Sequence, residues 1–364
     1  MVSAKSGCPG TGLGTATMAE GNEDEYEIKR MQWGRIRLSE EASKVTDHED
    51  WIGDLLTVRR EDVGLRIGTN NFQRKLYASV ENMREHVAKM NKLKMDIMVG
   101  TEPGLGSRQN ISLLKRTMRK SSFKAVTTSR DNRTIGGGIV FTMAEAWARV
   151  PHELTAYMPA EREHKGRAAA LVFENNIPGM HHKVQIIAVH GLNGAEGKRD
   201  EAHRMLDWID RERARFKETN PMATTVLIGD LNAAQNTALD TDKGMVREVE
   251  TDEEEKDAFV LETIKDMHLT DVFRGRFPKL RAVTRTSSRG TNRLLDRVFV
   301  TGEAAGHPST GVAISKHKWL DAGSDHLMVM LDLPIDTAGV ALHRMPMWEP
   351  RKEKRWVRDI DDMG

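Results

Sequence analysis

The sequence predicts an α/β fold whose strand ends carry polar side chains, and three observations support this. Short apolar runs of strand length alternate with stretches of helical period. Several of those runs are followed at once by a polar, chemically capable residue. The clearest is Val226-Leu227-Ile228-Gly229-Asp230-Leu231-Asn232-Ala233, an apolar strand closing in Gly-Asp-x-Asn. Gly229 is expected to break the strand, so that Asp230 and Asn232 emerge on one side of its C-terminal end. An acceptor-only carboxylate beside an amide that can donate suits water and a phosphate oxygen. Taken alone, the segment reads equally as a strand followed by an Asx-turn.

Element by element, residues 1–60 show no sustained periodicity and are expected to be a largely disordered leader, with a short helix near Trp51 to Val58. Val63 to Ile67 form the first strand, with a polar stop at Thr69-Asn70-Asn71, and a helix covers Lys75 to Lys92. Met95 to Val99 form the next strand, followed by Glu102 ahead of Pro103-Gly104. Further strands fall at Ile139–Met143, Ala168–Phe173 and Val184–Val189, the last ending at His190. Arg199 to Phe216 is an amphipathic helix with Ala202, Met205, Leu206, Ile209 and Phe216 on one face. A helix around Ala258 to Met267 and strands at Leu294–Val300 and Leu327–Leu333 complete the domain, placed at 61–335. Residues 336–364 form a basic, Trp-containing tail.

Composition narrows the class. The chain is 38% hydrophobic and 30% charged, ordinary for a soluble protein. Its single cysteine, Cys8, excludes an internal disulfide and a cysteine-ligated zinc or iron–sulfur centre. With no apolar signal segment and no run of membrane-spanning length, an intracellular location is expected, nuclear or cytoplasmic and not secreted, without stable membrane association. The net charge of +1 conceals segregation: eight basic residues lie between Gly106 and Arg133 and eight between Val272 and Arg297, each group opposed by a single acid. The compensating acids cluster at Glu20–Glu27 and Glu248–Asp257. Such local surpluses could form a phosphate-binding surface or simply solvated faces.

Polar residues at strand ends recur at Asn71, Glu102, His190, Asp230 with Asn232, Asp296, and Asp325-His326. Strand ends on one edge of a layered α/β fold converge in space, so together these residues point to one site. Their order is also recognisable. The segment from about Gly64 to Leu333 resembles the endonuclease/exonuclease/phosphatase superfamily, which includes DNase I, exonuclease III-like apurinic endonucleases and the endonuclease domains of non-LTR retrotransposons. The matching pieces are Leu65-Arg66-Ile67-Gly68-Thr69-Asn70-Asn71, Asp96-Ile97-Met98-Val99-Gly100-Thr101-Glu102, His190-Gly191-Leu192-Asn193, Gly229-Asp230-Leu231-Asn232, Leu295-Asp296-Arg297-Val298-Phe299 and Ser324-Asp325-His326. Leu269-Thr270-Asp271-Val272-Phe273-Arg274 is similar to a further segment of those endonucleases.

The resemblance implies a four-layer α/β sandwich, two mixed β-sheets packed face to face with helices on both outer faces. It implies a Mg²⁺ or Mn²⁺ ion held by Glu102 with Asn71 and a contribution from Asp325, a ligand set that suits a hard cation. His326, polarised by Asp296, would act with Asp230 to position and deprotonate the attacking water. Asn232 and Asn193 would hold phosphate oxygens, and His190 would donate a hydrogen bond to the phosphate or protonate the leaving oxygen. Apurinic and retrotransposon endonucleases carry Tyr at the position of His190, whereas DNase I and the sphingomyelinase-like and inositol phosphatase-like members carry His. Asn193 matches the tyrosine-type motif, so the chain combines features of both groups.

Three readings follow. The first is a metal-dependent DNA endonuclease, possible as a retroelement-derived protein with a reverse transcriptase region downstream; the partner is then nucleic acid. The second is a phosphatase or phosphodiesterase acting on an inositol phosphate or phospholipid, although Ser287 to Leu294 lacks the Pro-x-Trp-x-Asp-Arg pattern of inositol polyphosphate 5-phosphatases. The third is a catalytically inactive binding module of the same fold.

Overall fold

In the computed structural model, two pairs of parallel strands occupy the middle of two mixed sheets. The structure describes residues 50–56, 63–104, 108–128, 138–159, 165–173, 183–192, 199–234, 237–241, 252–286, 292–320 and 324–334. The first sheet has seven strands in the order β1 (Trp51–Gly53), β14 (Gly311–Lys318), β15 (Leu327–Leu333), β2 (Leu65–Asn71), β3 (Ile97–Thr101), β5 (Ile139–Ala144) and β4 (Phe123–Thr127). The second has six, in the order β10 (Leu269–Asp271), β13 (Asp296–Thr301), β9 (Thr224–Asp230), β8 (Val184–His190), β7 (Ala168–Phe173) and β6 (His152–Ala156). β11 (Arg285–Thr286) and β12 (Asn292–Arg293) form a small separate ladder. β2 pairs in parallel with β3, and β8 with β9. Their other neighbours run antiparallel.

This mixture decides where function can sit. The C-terminal ends of β2, β3, β8 and β9 point to one edge. Their antiparallel partners β15 and β13 bring N-terminal ends to that same edge. Asn71, Glu102, His190, Asp230, Asp296 and His326 therefore sit at or beside strand ends on one edge of the sandwich.

Four layers follow from two-sided burial. Leu65, Ile67, Val99 and Phe141 of the first sheet meet Leu171, Ile186, Ile228 and Val298 of the second in a shared inner core. Alternation sends the next residues outward. Helix α1 (Val80–Lys92) lays Met83, Val87 and Met90 on Met98 and Met330, on the outer face of the first sheet. Helix α2 (Arg108–Lys120) joins this layer through Met118. On the other side, α3 (Arg199–Thr219) and α4 (Asp252–Asp266) pack Leu206, Ile209, Val260 and Ile264 on Ile187, Leu227 and Phe299. Each such fully buried aliphatic side chain contributes about 1.5–3 kcal/mol of transfer free energy. Among the described residues, no helix is long and apolar enough to cross a membrane.

Several local expectations are corrected. Trp51–Gly53 is a strand paired with β14, not the start of a helix, because pairing with a distant strand supplies what a three-residue segment cannot signal. β2 continues through Thr69, Asn70 and Asn71, since pairing with β3 runs to its last residue, while β15 pairs with it as far as Thr69. The helix expected from Lys75 begins only at Val80, where the Ser79 hydroxyl caps it by accepting from Asn82 N at 3.1 Å. Gly229 lies inside β9 rather than ending it. A Cβ there would sit 2.1 Å from the Val189 carbonyl, so glycine is required by the close approach of β8. The expected leader up to residue 49 and the expected tail 336–364 lie outside the described residues.

The first sheet also buries an ion pair. Arg66 Nε and Nη2 each donate to Asp332 at 2.7 Å, and Nη1 donates to Leu93 O at 2.8 Å. Asp332→Ala, which strands the guanidinium, is expected to lower the unfolding free energy by about 3–5 kcal/mol in urea titration. A loss below about 1 kcal/mol would show that the pair carries no such weight.

Candidate active site

The second sheet sets the register of the site. His190 is paired with Asp230 across β8 and β9, and Asp230 with Asp296 across β9 and β13. Three functional side chains thus start from adjacent backbone positions. Gly191 follows His190, and a Cβ on it would meet Leu231 O at 1.9 Å, so the two loops after β8 and β9 can touch only through glycine.

Asp230 is the hub. It is buried, and its Oδ2 accepts from Asn71 Nδ2 at 2.9 Å, a bond reaching from one sheet to the other. Its Oδ1 accepts from Asn232 N at 2.9 Å, so the segment is an Asx-turn as well as part of the site. Asn232 takes the left-handed conformation (φ 48°), and its Nδ2 donates to Gly191 O at 3.0 Å. His326 Nε2 lies 3.9 Å from Asp230 Oδ2, while its Nδ1 is 2.7 Å from Asp296 Oδ2. The Thr284 hydroxyl accepts from Leu295 N and Asp296 N, both at 2.9 Å, which holds the aspartate against the imidazole.

On the opposite wall, Glu102 has a left-handed backbone (φ 47°) and places Oε1 3.4 Å from His190 Nε2. That contact lacks hydrogen-bond geometry, and His190 Nε2 is buried without a hydrogen-bond partner. Arg167 Nη1 faces His190 Nδ1 at 3.4 Å, which places the ring proton on Nε2, turned toward Glu102. Gln73 ties Asn71 to Asp325. Its backbone N donates to Asn71 Oδ1 at 2.9 Å, and its side chain exchanges hydrogen bonds with the carboxylate and amide of Asp325. Asp325 Oδ1 is 3.6 Å from His326 Nε2, and Arg285 Nε is 3.3 Å from Asp325 Oδ2.

Electrostatics divide these groups. Burial and the neighbouring Arg167 lower His190 to about 3, so it is neutral at ordinary pH. Burial opposes a charge on His326, but Asp296 and Asp230 overcome it and raise its pKa to about 9. Burial also pushes Asp230 up; His326 and the hydrogen bonds from Asn71 and Asn232 outweigh that and hold it below the usual carboxylate range. Because His190 is neutral, the stabilising positive charge is that of His326. Burial and Asp230 raise Asp296, which by itself would favour a proton on the carboxyl; the rise of His326 to about 9 nevertheless keeps the proton of the pair on the imidazole. Glu102 is raised by burial first and by Asp230 second.

Two groups of residues could take a cation. Asp230, Asp296 and His326 have ligand atoms within 4.8 Å of one another, but they are buried and already bonded to each other. Glu102 and Asp325 fit a hard ion better. Their carboxylates are 24% and 28% exposed, Asn71 adds an amide oxygen, and the repulsion between Glu102 and Asp230 is one that a divalent cation would relieve.

Of the expected residues, the structure therefore gathers Asn71, Glu102, His190, Asp230, Asn232, Asp296, Asp325 and His326. Asn193 lies outside the described residues. Sequence reasoning missed Arg167, Gln73 and Thr284. Gln73 sits two residues beyond Asn71, and Arg167 directly precedes an apolar run; these are faint signals. Thr284 carries none.

A pH dependence of stability follows from His326. Its folded-state pKa of about 9 lies above its ordinary 6.5, so its stabilisation is complete below pH 6.5 and is lost as pH rises through 9. The unfolding free energy from urea titration should fall across that window by roughly 3 kcal/mol, and Asp296→Asn should flatten the decline. A flat wild-type profile, with His326 titrating near 6.5 by NMR, would contradict this assignment.

Sequence comparison with models of protein families gives no match, and comparison with proteins of curated function gives none. Solved structures do match. A 3′-5′ exonuclease (NExo) from Neisseria meningitidis aligns with TM-score 0.56 at 19% identity, covering 74% of this chain and 99% of that one. An AP endonuclease from Archaeoglobus fulgidus gives 0.53 at 16%, with the same coverage. The AP endonuclease LMAP from Leishmania major gives 0.56 at 14%, covering 81% of this chain and 99% of that one. At these identities the likeness concerns architecture. With its two mixed sheets, paired parallel strands and outer helices, this chain has the DNase I-like α/β-sandwich fold of these solved structures.

Proposed function

We propose that the protein is a metal-dependent phosphodiester hydrolase acting on DNA. The observation that carries this reading is the ionised Asp230, held between the Asn71 amide, the Asn232 backbone and the His326–Asp296 pair, and facing a neutral histidine with an unpartnered N–H. A water beside Asp230 would give up its proton to that carboxylate. His326 stays protonated, so base chemistry falls to Asp230, while the imidazolium fixes the carboxylate and favours the anionic nucleophile. His190 Nε2–H and the second Asn232 Nδ2 hydrogen would donate to phosphoryl oxygens as charge accumulates there. With a pKa of about 3, His190 serves as a hydrogen-bond donor rather than as an acid. Glu102, Asn71 and Asp325 would hold Mg²⁺ or Mn²⁺. When bound, such an ion supplies Lewis acidity toward the phosphoryl and leaving oxygens.

DNA is favoured over a small phosphoester by surface charge. Lys115, Arg116, Arg119 and Lys120 of α2 are all exposed and fall on one helical face with no acid on the helix. The second basic segment contributes less than its sequence suggests. Arg274 and Arg297 pair with Asp240, Arg276 with Asp54 and Arg293 with Asp257, so internal carboxylates consume these cations. One of the similar structures, the 3′ phosphatase NExo from Neisseria, is bound to a product DNA hairpin, which supports the same choice.

Purified protein with Mg²⁺ is expected to convert supercoiled plasmid to nicked circles. EDTA should stop the reaction, and Asp230→Asn should slow it by roughly 10²- to 10⁴-fold. A folded wild-type protein that leaves plasmid intact would overturn the reading. Replacing Lys115, Arg116, Arg119 and Lys120 with Gln should reduce the slope of log affinity against log salt by as much as about 3, with turnover of bound DNA retained. An unchanged slope would remove α2 from the DNA contact surface.

A further inference from the structure

We propose that Lys256 is a positioning residue that locks the two phosphate-facing loops, Gly191–Leu192 after β8 and Leu231–Asn232 after β9, to each other. Lys256 lies in the first turns of α4 and is only 2% exposed. Its ammonium donates to Leu192 O at 3.0 Å and to Asn232 O at 3.1 Å, and it pairs with Asp257 Oδ1 at 3.2 Å. Two of the three ammonium hydrogens thus go to carbonyl oxygens, while the Asp257 contact is an ion pair without hydrogen-bond geometry. Those two carbonyls belong to the loops that carry the site.

The consequence falls on Asn232. Its backbone is left-handed, a region that residues with a Cβ enter rarely and asparagine more readily than most, so the surrounding hydrogen bonds decide how firmly it is held. Three bonds hold it here: N to Asp230 Oδ1, Nδ2 to Gly191 O, and the carbonyl to Lys256. The first two come from the site itself. Lys256 supplies the third, and the same ammonium holds Leu192 of the neighbouring loop.

Asp257 completes the clamp. Its Oδ2 accepts from Ala234 N at 3.0 Å and from Arg293, which fixes the carboxylate whose Oδ1 faces the ammonium, so the ionic partner of Lys256 is not a site carboxylate. A long apolar side chain could fill the same volume, but it could not draw two carbonyl oxygens from different loops to one point. This role rests on the hydrolase reading, because it assigns Lys256 to the alignment of donors toward phosphate.

The test uses the full chain with Mg²⁺, supercoiled plasmid, and the variants Lys256→Met and Lys256→Gln. Lys256→Met should lower kcat roughly 10- to 100-fold, the scale on which small misplacements of reacting groups act. KM should stay within about twofold. Lys256→Gln keeps an amide donor, is the milder change for folding, and should lose less. The side-chain amide resonances of Asn232, followed with ¹⁵N-asparagine, should shift in both. An unchanged kcat in either folded variant, or a loss that merely tracks the unfolded fraction, would overturn the proposal. So would unmoved Asn232 resonances. If wild-type protein cleaves nothing, the hydrolase reading fails separately, and the Asn232 resonances still decide whether Lys256 sets that side chain.

Discussion

A negative charge on Asp230, at 1% exposure, is the constraint that the rest of the structure answers. An isolated carboxylate buried this deeply would cost several kcal/mol and would protonate instead. Here its compensation comes from separate places: Asn71 at the end of β2, the Asn232 amide one turn later, and His326 ahead of β15. No single sheet can provide all three. The two sheets must therefore stack with the ends of β2 and β9 in contact, and β15 must enter beside β2 in its observed register. The inner apolar core supplies the cohesion for that stacking, while the buried polar groups specify its alignment.

The same requirement accounts for the local distortions. Glu102 and Asn232 both adopt left-handed backbones, and each lies immediately after a central parallel strand. A strand continuing straight would carry its side chains past the site. A left-handed residue turns the chain at once and brings the side chain back over the edge. The cost is borne by tight hydrogen bonding around each turn, with Arg74 N on Glu102 O and Lys256 on Asn232 O. Glycines at 191 and 229 let β8 and β9 approach so closely that these turns share partners. Geometry useful to chemistry is thus maintained by residues that need not touch a substrate.

Legibility in the sequence followed the range of the interactions. Asp230, Asn232 and His190 stood out because local apolar runs announce strands, and strand ends announce edges. The four layers were accessible once the order of motifs resembled a known superfamily. Contacts between distant segments were not. Asn71 was expected beside a metal, but nothing local announced that its amide nitrogen also donates to Asp230, a partner 159 residues away. The basic segment from Val272 to Arg297 read as a charged surface because Asp54, Asp240 and Asp257, which neutralise much of it, lie elsewhere in the chain. Lys256 sits in the run Glu253-Glu254-Glu255-Lys256-Asp257, where composition suggests a solvated face; burial and two carbonyl contacts reverse that reading.

Charge balance at the edge links the fold to the proposed chemistry. Glu102, Asp230, Asp296 and Asp325 converge around one imidazolium, His326, with Arg167 and Arg285 at the margins. Such a group is not by itself attractive to a phosphodiester anion. Hydrogen-bond donors such as His190 Nε2–H can orient phosphate but cannot cancel the field of the carboxylates. The cations of α2 offer attraction along the nucleic-acid backbone, yet beyond about 10 Å that attraction is screened at moderate salt. A divalent cation beside Glu102 would change the local sign where the phosphate must come. It would also relieve the repulsion that raises the Glu102 pKa. An acidic reaction centre beside a basic docking helix is therefore coherent: the helix gathers a polyanion, and the carboxylates are matched to an ion that makes the centre hospitable to it.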